Sequence, residues 1–172
     1  MVLSLAEVIE QHSELSVAQL AQQAKCSEAE VVAHLPEHWA CWLPHEQLQW
    51  LMYDLPSWGP MTTIVQVAGS VFEIKDNFPC GKPGHGYYNL MDKQSHLHGH
   101  LKLENIASVA LVSKPLRGVE SYCFQFFDDN GDTIFKIYLG RDRKRVLLPK
   151  QVERFEILKQ NMALTELENT SL

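Results

Sequence analysis

The chain has 172 residues, 45% of them hydrophobic and 21% charged, enough for one sizeable core and too balanced for a disordered chain. Its four cysteines, Cys26, Cys41, Cys80 and Cys123, are scattered and fit neither a disulfide scaffold nor a zinc spacing, so they read as free thiols of a reducing compartment. The net charge of −6 arises in residues 1–50, where Lys25 faces seven acidic residues, while the remainder balances fourteen against fourteen.

The N-terminus, MVLSLAEVIEQ, has no basic region and carries Glu7 and Glu10 where a secretory signal would be apolar. No apolar run is long enough to span a membrane, and the expected location is the cytoplasm. Helical spacing of Leu5, Val8 and Ile9, of Val17, Leu20, Ala21 and Ala24, and of Val31, Val32 and Leu35 predicts helices over 3–12, 16–25 and 28–35. Ser16 and Ser27 are the expected N-caps, and Pro36 ends the third helix. Residues 16–35 have the pattern of a helix-turn-helix, but the helix that would read DNA carries Glu28 and Glu30 and no Arg or Lys, the wrong charge for phosphates.

A further helix is expected over 45–54, then strands over 61–67 and 70–75 joined at Gly69-Ser70. Downstream lie a strand near 106–113 and one over 119–128, with Tyr122, Phe124 and Phe126 on one face. A hairpin turn at Asn130-Gly131 and a strand over 133–139 follow. Pro149 opens a last helix with the stripe Val152, Phe155, Leu158 and Met162. The expected domains are a helical cap, 1–44, a sheet domain with its C-terminal helix, 45–165, and a flexible tail, 166–172. The fold class is α+β, a helical cap on a mainly antiparallel sheet of about six or seven strands. Arg141-Asp142-Arg143-Lys144-Arg145 is the only basic cluster; such a run is ordinarily solvated surface, the alternative being a phosphate or nucleic-acid contact. The chain contains no phosphate-loop or nucleophile-elbow motif, and catalytic chemistry has no clear home in it.

The chemically richest stretch is Gly81 to Leu101, GKPGHGYYNLMDKQSHLHGHL, which holds four of the eight histidines. Strand alternation sets Tyr88 and Leu90 on one face of Gly86–Leu90 and Tyr87 and Asn89 on the other. In Leu97–Leu101 it sets both leucines on one face and His98 and His100 on the other. With Leu90 in the core, Tyr87, His98 and His100 share a polar face. A phenol and two imidazoles are side chains that ligate haem iron or stabilise a ligand on it. The same residues would equally suit a half-exposed strand hydrogen-bonded to water. Zinc is disfavoured, because His96, His98 and His100 have no C-x-x-C pair or helical His-x-x-x-His to complete a tetrahedron.

Taken together, Trp58-Gly59-Pro60 with Thr62-Thr63-Ile64-Val65, Gly86-Tyr87-Tyr88-Asn89-Leu90, Gly99-His100-Leu101, and Phe135-Lys136-Ile137 with Gly140-Arg141-Asp142 resemble the HutX/ChuX-type haem-utilisation family, over about Leu15 to Phe155. The resemblance implies a cytoplasmic haem carrier, not an enzyme, built like one half of the HemS/ChuS proteins. A homodimer would complete the haem-binding sheet, and a haem importer or a downstream haem-handling protein would be the partner. The family holds haem iron by tyrosine or histidine, and carried over by position these are Tyr87 of the GYYNL block, the leading ligand, and His98 and His100 of the HGHL block. Gln66 stands where some members have a histidine; it cannot ligate iron normally but can donate a hydrogen bond.

Ferric haem suits this set, since Fe(III) prefers an anionic oxygen such as a tyrosinate. Tyr88 is the alternate ligand, and His85, His98 and His100 are candidates for the opposite face of the iron. Lys82, Lys102 and Arg117 flank these strands and are the candidates for the propionates. The acidic segment, through Glu28, Glu30 and Glu37, is the expected docking surface for a basic acceptor. The rival readings are a haem-degrading enzyme and a haem-responsive DNA-binding regulator.

Overall fold

The computed structural model describes residues 3–171. Three short helices open it, α1 (Leu5–Gln11), α2 (Val17–Ala24) and α3 (Glu28–Ala33). Each begins with a reciprocal capping box. Ser4, Ser16 and Ser27 accept the backbone N–H of Glu7, Gln19 and Glu30, whose side chains accept the serine N–H in return. Helices this short are not stable alone, so caps and tertiary packing must hold them. Their apolar faces (Val8, Ile9, Leu20, Val31, Val32) close over Ala110, Val112, Cys123 and Phe127 of the sheet.

Among the described residues nine strands follow in chain order: β1 (Ala40–Leu43), β2 (Pro60–Val67), β3 (Ser70–Asn77), β4 (Gly81–Gly84), β5 (Tyr87–Leu90), β6 (Gly99–Leu101), β7 (Ser108–Val112), β8 (Cys123–Phe127) and β9 (Thr133–Leu139). They form two antiparallel sheets rather than the single one expected. The larger has the order β1-β7-β8-β9-β2-β3 and the smaller β4-β5-β6. Helix α4 (Leu48–Asp54) and the long α5 (Pro149–Thr170) pack with them. The main core joins Leu51, Met52 and Trp58 to Phe124, Phe126 and Ile137 of the large sheet, to Tyr88 and Leu90 of the small one, and to Phe155 and Leu158 of α5.

Strand β8 is buried along its whole length. Phe124 and Phe126 enter the main core, while Cys123 and Phe127 face the cap. Its polar residue, Gln125, donates to Glu28 Oε2 at 2.6 Å and to Thr133 Oγ1 at 2.8 Å. Thr133 Oγ1 also donates to Glu28, and Lys136 Nζ lies 3.7 Å from it. The N–H of Ala29 donates to Gly131 O at 3.1 Å. The first turn of α3 is thereby fastened to the β8–β9 hairpin. This corrects the docking expectation for Glu28, which is a partly buried tie between cap and sheet and not a free surface charge.

Four further boundaries differ from expectation. Residues 40–43, expected in the cap, pair with β7 and belong to the large sheet. The β2–β3 turn is one residue earlier than expected, at Ala68-Gly69, because these two residues take positive φ and Val67 pairs with Ser70. Strand β6 begins only at Gly99, so Leu97 and His98 lie outside it. Helix α5 continues through Thr170, into the segment expected as a tail. None of the described helices is long and apolar enough to cross a membrane.

Candidate functional site

The small sheet is positioned by its buried face. Tyr88 is 1% exposed and Leu90 3%, both in the main core, which forces Tyr87 and Asn89 outward as alternation requires. Gly84 pairs with Tyr87, leaving His85-Gly86 as a two-residue turn with φ of 54° and 78°. That turn matches strand twist but needs positive φ at both residues, which accounts for the glycine and puts His85 at an exposed tip. Gly81 allows the Tyr88 ring to lie against the backbone, since a Cβ there would sit 2.7 Å from it.

Tyr87, 40% exposed, is the centre of the outward face. The His100 ring lies edge-on at 5.7 Å and Lys102 Nζ stands 4.5 Å over the phenol ring. Lys102 also reaches Glu104, at 3.4 Å. Asn89 Nδ2 donates to Gly84 O at 3.0 Å and more weakly to Lys82 O at 3.3 Å, which turns Oδ1 toward His100 Nδ1 at 2.6 Å. Because Oδ1 can only accept, Nδ1 of His100 is the donor in this contact, and its Nε2 has no hydrogen-bond partner among the described residues. Tyr87 and His100 thus come together as expected, with Lys102 beside them.

His98 does not join them. Its Nε2 donates to Asp92 O at 3.1 Å, because the strand alternation that would have aimed it at Tyr87 does not extend past Gly99. His96 binds Asp76 Oδ2 through Nδ1 and through its backbone N–H, both at 2.8 Å, tying the β5–β6 connection to the end of β3. Lys82 is exposed on β4 opposite Asn89. Gln66 is exposed near the tip of the β2–β3 hairpin, paired with Val71. Arg117, with φ of 52°, lines a separate hollow with Ser13, Glu14 and Trp39 beside the cap.

Tyr88 differs from its neighbour. Its Oη is buried with no hydrogen-bond partner among the described residues. Burial, and secondarily Tyr53, pushes its phenol up to about 12. The Tyr53 ring meets it edge-on at 5.8 Å. Sequence reasoning overlooked this wall of the site, made by Gln49 and Tyr53 of α4. The signal was present, for Gln49 and Tyr53 are one helical turn apart and face away from the stripe Leu48, Leu51 and Met52. Gln49, Gly84, Tyr87, Tyr88 and Leu103 line an open hollow of about 210 Å³. Pockets that bury a drug-sized ligand are about 300–1,000 Å³, so this hollow is only one wall of a site for something larger. Among the described residues no cluster of three His, Cys, Asp or Glu is placed to hold a bare metal ion.

Residues 41–158, from β1 into α5, match the family described as Haem utilisation ChuX/HutX. The chain belongs to that family. A curated relative, the intracellular heme transport protein HutX of Vibrio cholerae serotype O1, is 50% identical over 156 residues, 91% of this chain and 81% of the relative. The solved structure of the heme-binding protein ChuX has a TM-score of 0.84 at 31% identity, covering 93% of this chain and 99% of that one. The E. coli heme oxygenase ChuS, 18% identical, shares the fold with a TM-score of 0.71, and this family member covers 90% of its own length and half of that chain. The α+β architecture built like one half of such a protein is thus the observed one.

Proposed function

We propose that the chain is a cytoplasmic haem carrier that holds ferric haem through Tyr87 and hands it to a downstream haem-handling protein. The observation that carries this reading is the outward phenol of Tyr87, flanked by the His100 ring and by Lys102, within the range that matches the family. A tyrosinate oxygen suits Fe(III), and Lys102 and Lys82 offer counter-charges for propionates. Membership of a haem-utilisation family, and a relative named as an intracellular heme transport protein, support carriage as the role. Tyrosinate holds ferrous iron poorly, so reduction would favour release. The regulator reading loses its footing in the cap, because the first turn of α3, where such a motif contacts bases, is fastened to the β8–β9 hairpin.

The test is a hemin titration followed by addition of an electron donor under air with catalase present. The expected result is a shifted Soret band at about one haem per subunit, and then no biliverdin-like product. Sustained ring opening would replace the carrier by a haem-degrading enzyme.

A second copy of the chain completes the site in this reading. The β3 strand is a free edge of the large sheet, and the hairpin it forms with β2 exposes Val67, Val71 and Phe72, the last 59% exposed. Bare apolar edges invite pairing, and natural proteins cover them. Light scattering at micromolar concentration is expected to give a dimer mass, and the double change Val71→Lys with Phe72→Lys a monomer that binds hemin more weakly. A wild-type monomer mass would remove the dimer.

A further inference from the structure

A hollow of about 440 Å³, larger than the one of about 210 Å³ beside Tyr87, lies elsewhere on the molecule. It lies on the other side of the large sheet. Thr62 and Ile64 of β2, Lys75 of β3 and Tyr138 of β9 line it, and along these strands they alternate with Thr63, Ile74 and Ile137. Ile137 points into the main core, on the side where the small sheet packs. The helical cap covers β7 and β8 on the hollow's side and leaves this part of the face open.

The basic run that the haem reading leaves unused forms the rim. Arg141 donates to Arg145 O at 3.0 Å and to Glu120 O, pinning the loop in place. Asp142 Oδ1 accepts the N–H of Lys144 and Val146, so its carboxylate is committed to the same loop. Arg145, held at φ of 64°, lines the hollow together with Lys75 of β3. Among the described residues Lys75, Arg141 and Arg145 make no ion pair, and Glu73 is the one lining carboxylate without a hydrogen bond of its own. The floor supplies apolar and aromatic surface from Ile64, Tyr138 and Leu147.

Unpaired cations around an apolar floor suit a flat anion that carries carboxylates on one edge. We propose that this hollow is a second station for the porphyrin, one that binds the propionate edge through Lys75 and Arg145 and leaves the iron uncoordinated. It rests on the haem reading above for the identity of the ligand. Tyr122 and Tyr138 are the phenols here, and burial pushes both up, which disfavours the tyrosinate that ferric iron would need. Tyr87 stands on the small sheet and is not among the residues that line this hollow.

Metal-free protoporphyrin IX separates the two places, because it has no iron for Tyr87 to hold. Its fluorescence is titrated with the intact protein, alongside the dimethyl ester, which lacks the carboxylates. Saturable binding is expected, weakened about fivefold by Lys75→Gln and by Arg145→Gln singly. Tyr87→Phe and Lys82→Gln are expected to leave it unchanged, and the ester is expected to be insensitive to all four. Absence of saturable binding, indifference to the Lys75 and Arg145 changes, or loss on Tyr87→Phe would overturn the second station. Should hemin itself leave the wild-type spectrum unshifted, the haem reading falls and this inference with it; an intact hemin shift with failed porphyrin results removes this inference alone.

Discussion

Tyr87→Phe is expected to erase the phenolate-to-iron charge-transfer band of the hemin complex and to weaken hemin binding about a hundredfold, about 2.7 kcal/mol. The reason is geometric. Tyr87 is the phenol that already faces outward, with His100 and Lys102 around it, so it needs no rearrangement to reach a flat ligand. Tyr88 would have to leave the core and lose a proton that burial helps it keep. Tyr88→Phe removes an oxygen that has no partner among the described residues, and an unsatisfied buried hydroxyl costs about 1–3 kcal/mol, so this variant is expected to be at least as stable as the parent with the band intact. Absorption spectra of the two loaded variants check both statements. Loss of the band in Tyr88→Phe alone would transfer the iron to Tyr88 and show that the small sheet opens when it loads.

The largest stability effect is expected at Gly140, where β9 ends. A Cβ there would lie 2.0 Å from the carbonyl oxygen of Pro60, the first residue of β2. That carbonyl cannot retreat freely. Gln151 Nε2 donates to it and to Trp58 O, both at 2.8 Å, while Gln151 Oε1 accepts the N–H of Gly140 at 2.6 Å. A single buried amide thus locks the start of β2, the end of β9 and the first turn of α5 together. Gly140→Ala must break this lock or displace a sheet strand, and about 3 kcal/mol or more should be lost. For a chain of this size that is a fall in Tm of roughly 6–12 °C. Gly99→Ala is the control, since a Cβ there meets nothing within 4 Å. Thermal unfolding curves that coincide for Gly140→Ala and the parent would show that the backbones part without cost.

What could be read before the fold was known divides along physical lines. The capping serines at 16 and 27, the alternation in β8 and the outward Tyr87 are local patterns, and the structure keeps them. Strand β4 was missed because GKPG has no β-branched or aromatic residue; its pairing is imposed by β5 through the His85-Gly86 turn. Strand β1 was missed because four residues after a helical segment carry too short a period, and their partner lies some seventy positions on. Alternation held for Tyr87 and His100 but not for His98, because a period is informative only within the strand that has it. The fate of Glu28, and the separation of Arg117 from the other candidates, depend on which distant residues the topology brings alongside.

The burial of β8 on both faces also bears on how the chain melts. With Phe127 under the cap and Phe126 one residue away in the main core, neither core can open without exposing the strand that the other needs. Glu28 adds a polar tie at the same seam. Cap and sheet are therefore one cooperative unit rather than a module and its ornament, and a chain cut at the expected boundary near residue 44 would lose β1 and leave half bare the one described strand that is buried along its whole length.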